Sequence, residues 1–334
     1  MPPLFMQPKW ATFLEYDPLA HLQSTGNPAI QFFVQRDLLD NQTLSVETLW
    51  ALPGAERILR KQQSDGSWPD KNKKKHANSP TNYAVLETYR SLRVLVECYG
   101  MNKRHPAIQK AAEFMFSTQT PEGDFRGIYG TQYSTNYSGG ILEFLVKAGY
   151  TNDPRIDSAF KWFLSVQQDD GGWLLPVQVA GLSSLASDDW MQRPTVVAFD
   201  PTRPSAHMVA GIVIRAFANH PTYRQTPEAR KAADFLVSRF FESDKYSFRQ
   251  HKRYWTKYTF PFWWNDLIGC MDALSLMDYP VDTPGVQDAL DHFRKTQLPN
   301  GTWGLDLLAG KTIPDITSWF DLVICRIFKR FYGK

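Results

Sequence analysis

Residues 62–68 read QQSDGSW, and the same pattern returns as QTPEGDF at 119–125, QQDDGGW at 167–173 and QLPNGTW at 297–303. Each copy places Gln, then Gly four residues on, then an aromatic two residues later: Gln62, Gly66, Trp68; Gln119, Gly123, Phe125; Gln167, Gly171, Trp173; Gln297, Gly301, Trp303. Four copies at irregular distances are an internal repeat, and a repeat points to stacked supersecondary units.

Three of the copies follow a Pro by thirteen residues: Pro106, Pro154 and Pro284. Proline suits the first turn of a helix, where its missing N–H costs nothing, so each copy ends a helix. The same ruler finds a degenerate copy after Pro227, in which Phe240, Asp244 and Tyr246 keep the spacing and lose Gln and Gly. Pro53 stands only nine residues before Gln62. A second apolar helical stretch follows each turn, at 81–97, 135–148, 205–219, 264–277 and 317–330. Residues 28–39 read as a sixth, preceded by a weak helix near 9–23. No run alternates long enough for a sheet. The second helices are apolar on most faces, whereas EARKAADFLVSRF shows an amphipathic stripe of Ala232, Phe235, Leu236 and Phe240. The expectation is an all-α fold, an (α/α)6 toroid of two concentric helix rings, forming one domain over residues 1–334. The Gly of each turn supplies a permissive backbone, and Gln and the aromatic brace neighbouring units.

These motifs resemble the QW repeats of the squalene–hopene cyclase and oxidosqualene cyclase superfamily, whose toroid is shared with protein prenyltransferase β-subunits. The resemblance runs from about residue 28 to 330. It implies a central aromatic cavity, an apolar isoprenoid-type substrate, acid-initiated carbocation chemistry and no cofactor. The family's acid motifs are not present. Asp-x-Asp-Asp has only Asp169-Asp170 and Asp188-Asp189 as its nearest strings, and Asp-Cys-Thr-Ala-Glu is missing. The prenyltransferase zinc ligands have no counterpart: Asp266 and Cys270, like Asp321 and Cys325, stand four apart with no matching His downstream, so no metal is expected.

Alignment of the second helices sets a polar residue at each beginning: Asn82, Asn136, His207, Asp266 and Asp321. Such residues are ordinary N-caps. Their neighbours are aromatic, however: Tyr83, Tyr133, Tyr137, Trp263, Trp264, Trp319 and Phe320. An Asp against an aromatic wall keeps its proton by desolvation and can serve as a general acid. Asp266, in FPFWWND, is the first candidate, Asp321 the second, and His207 a polarising or basic partner. The remaining rim residues would bind substrate. The long stretch 174–204 is a candidate lid or membrane-facing entrance.

Composition bounds the alternatives. The chain has 334 residues, 14% of them aromatic, and a net charge of +3. That charge gives no nucleic-acid footprint. Three cysteines argue for a reducing, cytoplasmic setting, with peripheral membrane contact left open by the lysines near 71–75. Two other readings stand beside the cyclase-like enzyme. One is a non-catalytic binding or scaffold member of the fold. The other is a carbohydrate-active toroid. Substrate length and oligomeric state are not encoded in any of these patterns.

Overall fold

The computed structural model describes residues 8–175 and 200–333, apart from 42–43, 73, 75, 77–78, 80, 131, 133, 248 and 310–312. Most of the 174–204 stretch, and Tyr133, therefore lie outside the described residues. Among the described residues there are helices and only isolated β-bridges, so the fold is all-α. Contacts gather into two compact units. One joins the segment up to Ser45 with that from Arg253 on, and the other runs Val46–Lys252.

In the second unit the helices are α3 (Pro53–Leu59), α4 (Tyr83–Tyr99), α5 (Pro106–Phe116), α6 (Thr135–Leu145), α7 (Pro154–Ser165), α8 (His207–Asn219) and α9 (Pro227–Val237). The first unit holds α1 (Leu19–Ser24), α2 (Pro28–Phe33), α10 (Leu267–Leu276), α11 (Pro284–Thr296) and α12 (Ile316–Tyr332). The weak helix near 9–23 is two pieces, a 3-10 turn at Lys9–Phe13 and α1. Every expected proline helix begins at its proline: α3, α5, α7, α9 and α11 all carry Pro in the first turn. The second helix of each pair is buried nearly all round. Each residue of α6 is buried, and in α8 all but the terminal Asn219.

The turns explain the pairing. Gln62 Nε2 donates to Gly66 O and to Ala107 O, at 3.0 and 2.8 Å. Gln119 donates to Gly123 O and Arg155 O, and Gln167 to Gly171 O and Glu228 O. The second acceptor is in each case the residue after Pro106, Pro154 or Pro227, the first turn of the next pair. Each Gln thus closes its own turn and ties down the following helix. The glycines are required twice over. Gly123 has φ +112°, and a Cβ there would sit 2.3 Å from Ser158 O in α7; Gly66 meets Lys110 O of α5 in the same way. The indole N–H groups of Trp68, Trp173 and Trp303 donate to the carbonyls of Ile58, Phe163 and Phe293, each ten residues back. Trp68, Phe125, Trp173 and Trp303 are buried, while Tyr246 of the degenerate copy is 39% exposed. Tyr246 is therefore not the buried seam brace that its spacing suggested.

Candidate functional site

Asp321 lies in the second turn of α12 and is 1% exposed. Its Oδ1 accepts the backbone N–H of Trp303 at 3.2 Å. Its Oδ2 has no hydrogen-bond partner and stands 3.6 Å from His21 Nε2. That imidazole, on α1, also meets Ser318 Oγ at 3.2 Å. Burial pushes the Asp321 carboxyl up to about 8, against the smaller opposing effect of the Trp303 N–H. The acid therefore holds its proton at neutral pH. Cys325, one turn on, is pushed up by the same burial.

Aromatic rings surround the start of α12. Trp319 stacks on Phe260 with centroids 5.6 Å apart and planes at 16°, and meets Phe33 edge-on at 5.9 Å. Phe320 packs against Phe260 at 5.6 Å and Tyr258 at 5.7 Å. Phe260 thereby joins the start of α12 to the segment that leads into α10. That segment is a tight loop in which Thr259 Oγ1 accepts the amides of Trp263 and Trp264. The two indoles are half-buried and meet edge-on at 6.3 Å.

Asp266 stands at the end of that loop, fully buried as the N-cap of α10. Its Oδ1 accepts Gly269 N at 2.8 Å and its Oδ2 accepts Thr259 N at 3.2 Å. Both oxygens thus hold backbone. The two candidate aspartates differ in this respect, since one oxygen of Asp321 is unengaged.

In the other unit, Asn82 caps α4 through the amides of Ala84 and Val85. Tyr83 stacks on His76 at 3.7 Å, with His76 Nδ1 against Asp70 at 2.8 Å. The cap of α6 is Ser134, not Asn136; the Ser134 hydroxyl also donates to Asn136 Oδ1 at 2.6 Å. Tyr137 meets Tyr129 and Tyr89 edge-on at 5.1 and 6.1 Å, and burial raises its phenol well above the ordinary value. His207 opens α8 with no side-chain cap. Its place is taken by Asp244 of the degenerate turn, whose Oδ2 accepts Met208 N and lies 3.7 Å from His207 Nε2. Burial lowers the His207 imidazole despite that carboxylate, which keeps it neutral.

Sequence spacing did not single out His21, Phe260 and Tyr258, nor a buried ionic group. Arg215 of α8 bonds Glu143 of α6 at 2.9 Å, and Lys147 meets Glu143 and Glu97 at 2.9 and 2.8 Å. Burial alone would raise Glu143, but Lys147 and Arg215 outweigh it and hold the carboxylate ionised. An open groove of 350 Å³ is lined by Asn82, Val85, Thr118, Arg126, Gly127 and Gly130. Among the described residues no cluster fits a metal ion, and no helix is long and apolar enough to cross a membrane.

Residues 84–179 match the profile of the squalene-hopene cyclase C-terminal domain. No curated protein sequence is significantly similar to the chain. Among solved structures, a variant of the type II terpene cyclase MstE from Scytonema is 13% identical, covering 85% of this chain and 81% of that one at a TM-score of 0.44. A polysaccharide lyase is 11% identical and covers 94% of each chain at 0.47. An alpha-amylase from Clostridium perfringens is 12% identical, covering 90% of this chain and 85% of its own at 0.45. Over the matched segment, which includes the turns at Gln119 and Gln167, the helix-pair repeat of this chain is similar to that of the squalene-hopene cyclase C-terminal domain.

Proposed function

We propose that this protein binds an apolar isoprenoid against the half-buried Trp263 and Trp264 and that Asp321 is its proton donor. The observation that carries the reading is the Oδ2 of Asp321, buried and without a hydrogen-bond partner, on the helix whose start carries Trp319 and Phe320. A protonated carboxyl in such a place can transfer its proton to an alkene carbon, which leaves a tertiary cation. Ring faces stabilise a desolvated cation by about 2 kcal/mol each, and the exclusion of water protects it from early capture. His21, 3.6 Å from Oδ2, is placed to stabilise the carboxylate that remains. Asp266 has no oxygen to offer, and its part is to hold the loop that carries Trp263 and Trp264.

The test is incubation with linear isoprenoids of farnesyl to squalene length, followed by product analysis. Cyclised product from wild type, retained by Asp266→Asn and lost by Asp321→Asn, supports the proposal. Equal product from wild type and Asp321→Asn overturns it.

One observation favours binding without chemistry. Oδ1 of Asp321 does for Trp303 what Thr88 Oγ1 does for Trp68 and Ser138 Oγ for Phe125, a bracing role. Under that reading both proteins bind the isoprenoid and neither converts it. Glycoside hydrolysis uses paired carboxylates across a cleft, and among the described residues lining the open groove none is acidic.

A further inference from the structure

In three turns the Gln side chain reaches the first helix of the next pair. The fourth turn, at Gln297, has a different partner. Gln297 Nε2 donates to Gly301 O and to Tyr16 O, at 3.2 and 2.9 Å. Its Oε1 accepts the amides of Glu15 and Tyr16, at 3.1 and 3.0 Å. A Cβ on Gly301 would lie 2.1 Å from Asp17 O, just as Gly66, Gly123 and Gly171 abut carbonyls of α5, α7 and α9. Residues 15–17 thus fill the place of a next helix start, although some 280 positions separate them from Gln297. The seat is extended on either side. Arg294 Nε donates to Phe13 O, and Phe13 stacks on Tyr332 at 3.9 Å. Beyond it, α1 carries His21 to Ser318 and Asp321.

We propose that Lys9–Ser24 is a strap that completes the fourth repeat, and that its docking completes the Asp321 site by laying His21 over the carboxyl. His21 is then a positioning residue, about one-third exposed above an acid that is 1% exposed. Ser318 meets the His21 ring, and Cys325, one turn on from Asp321, also feels Asp17 ahead of α1 and Arg326, which is bound to Asp37. None of these reaches Oδ2, so the strap is the cover that keeps that oxygen dry. The part concerning the acid rests on the proposed role of Asp321; the part concerning the strap does not.

The experiment reads two quantities, neither of which needs turnover: amide exchange of residues 9–24, and the titration midpoint of the Asp321 carboxyl by carbon NMR. Gln297→Ala removes the anchor. Glu15→Pro removes one of its bonds from the exposed side, and Leu14 already has the extended backbone (φ −101°, ψ 156°) that a following proline requires. Gln62→Ala cuts the equivalent bonds of another turn. In the first two variants strap exchange should rise about tenfold or more, and the midpoint should fall by about one pH unit or more as water reaches Oδ2. Gln62→Ala should change neither. Wild-type strap exchange in both Gln297→Ala and Glu15→Pro overturns the proposal. So does a loosened strap with an unmoved midpoint, or a strap loosened equally by Gln62→Ala. Should Gln297→Ala fail to fold, Glu15→Pro alone decides. Failure of the enzymatic reading would appear only in product analysis, with these two readouts unaffected.

Discussion

The backbone N–H of Trp303 donates to Oδ1 of Asp321, which fixes one oxygen of the carboxyl and leaves the other facing His21. The proton on that buried group makes stability depend on pH. Its value of about 8 in the folded chain exceeds the ordinary 3.8. Below the ordinary value both folded and unfolded states hold the proton, and the contribution is fully present. Between the two values only the unfolded state ionises, so stability is lost as pH rises, by about 6 kcal/mol in all. Asp321→Asn keeps the acceptor for Trp303 and does not ionise. Urea midpoints should therefore fall from pH 4 to pH 8 more steeply in wild type than in Asp321→Asn. Parallel profiles would remove the buried proton from the account.

Two glycines of similar backbone separate strain from collision. Gly123 has φ +112° and Ser158 O within 2.3 Å of a new Cβ, whereas Gly127 has φ +102° and nothing nearer than Val85 at 3.9 Å. Gly127→Ala should cost about 1–2 kcal/mol from the backbone alone. Gly123→Ala should cost about 3 kcal/mol or more, because α7 must also retreat. Denaturant unfolding measures both, and equal costs would show that the close approach to Ser158 is relieved cheaply.

The pair Glu143 and Arg215 is buried between α6 and α8. Glu143→Leu should destabilise by about 3–5 kcal/mol, since it leaves Arg215 without its carboxylate. Adding Arg215→Leu should recover most of that loss, with Lys147 and Glu97 still paired. A double-mutant cycle tests the coupling; additive losses would contradict it.

Asp266 gives a contrast in kind. Asp266→Ala removes acceptors for Gly269 N and Thr259 N, and should lower stability by about 2–3 kcal/mol. Asp266→Asn, which retains one carbonyl oxygen, should cost less and leave isoprenoid conversion in place. Loss of conversion by this variant at full stability would return Asp266 to the chemistry.

Much of the architecture was legible because it is local. Proline and glycine act within one turn of chain, so the helix starts and the positive-φ turns follow from spacing alone. Caps were legible in part: Asn82 and Asp266 cap as their positions suggest, Ser134 caps in place of Asn136, Asp244 serves α8 from a distant turn, and Asp321, expected at a helix beginning, lies in the second turn of α12 behind Asp315. The candidate site was legible only in part. Asp266 and Asp321 look alike in sequence, each an acidic residue beside aromatics near the beginning of an apolar helical stretch. What separates them is the use of their oxygens. That depends on Thr259 for one, and on Trp303 and His21 for the other, the last some 300 positions away. Long-range contacts of this kind have no spacing to read.

Gly66, Gly123, Gly171 and Gly301 each press against a carbonyl of the segment that follows in space. A contact of backbone on backbone has a length set by atomic radii, and side-chain substitution has no means of adjusting it. The step from one helix pair to the next is in this sense a fixed gauge. Residues that face away from the gauge, the aromatic wall of α12 among them, can be exchanged for others while the spacing of the pairs stays the same. A frame of this kind can be refitted for new ligands without being rebuilt.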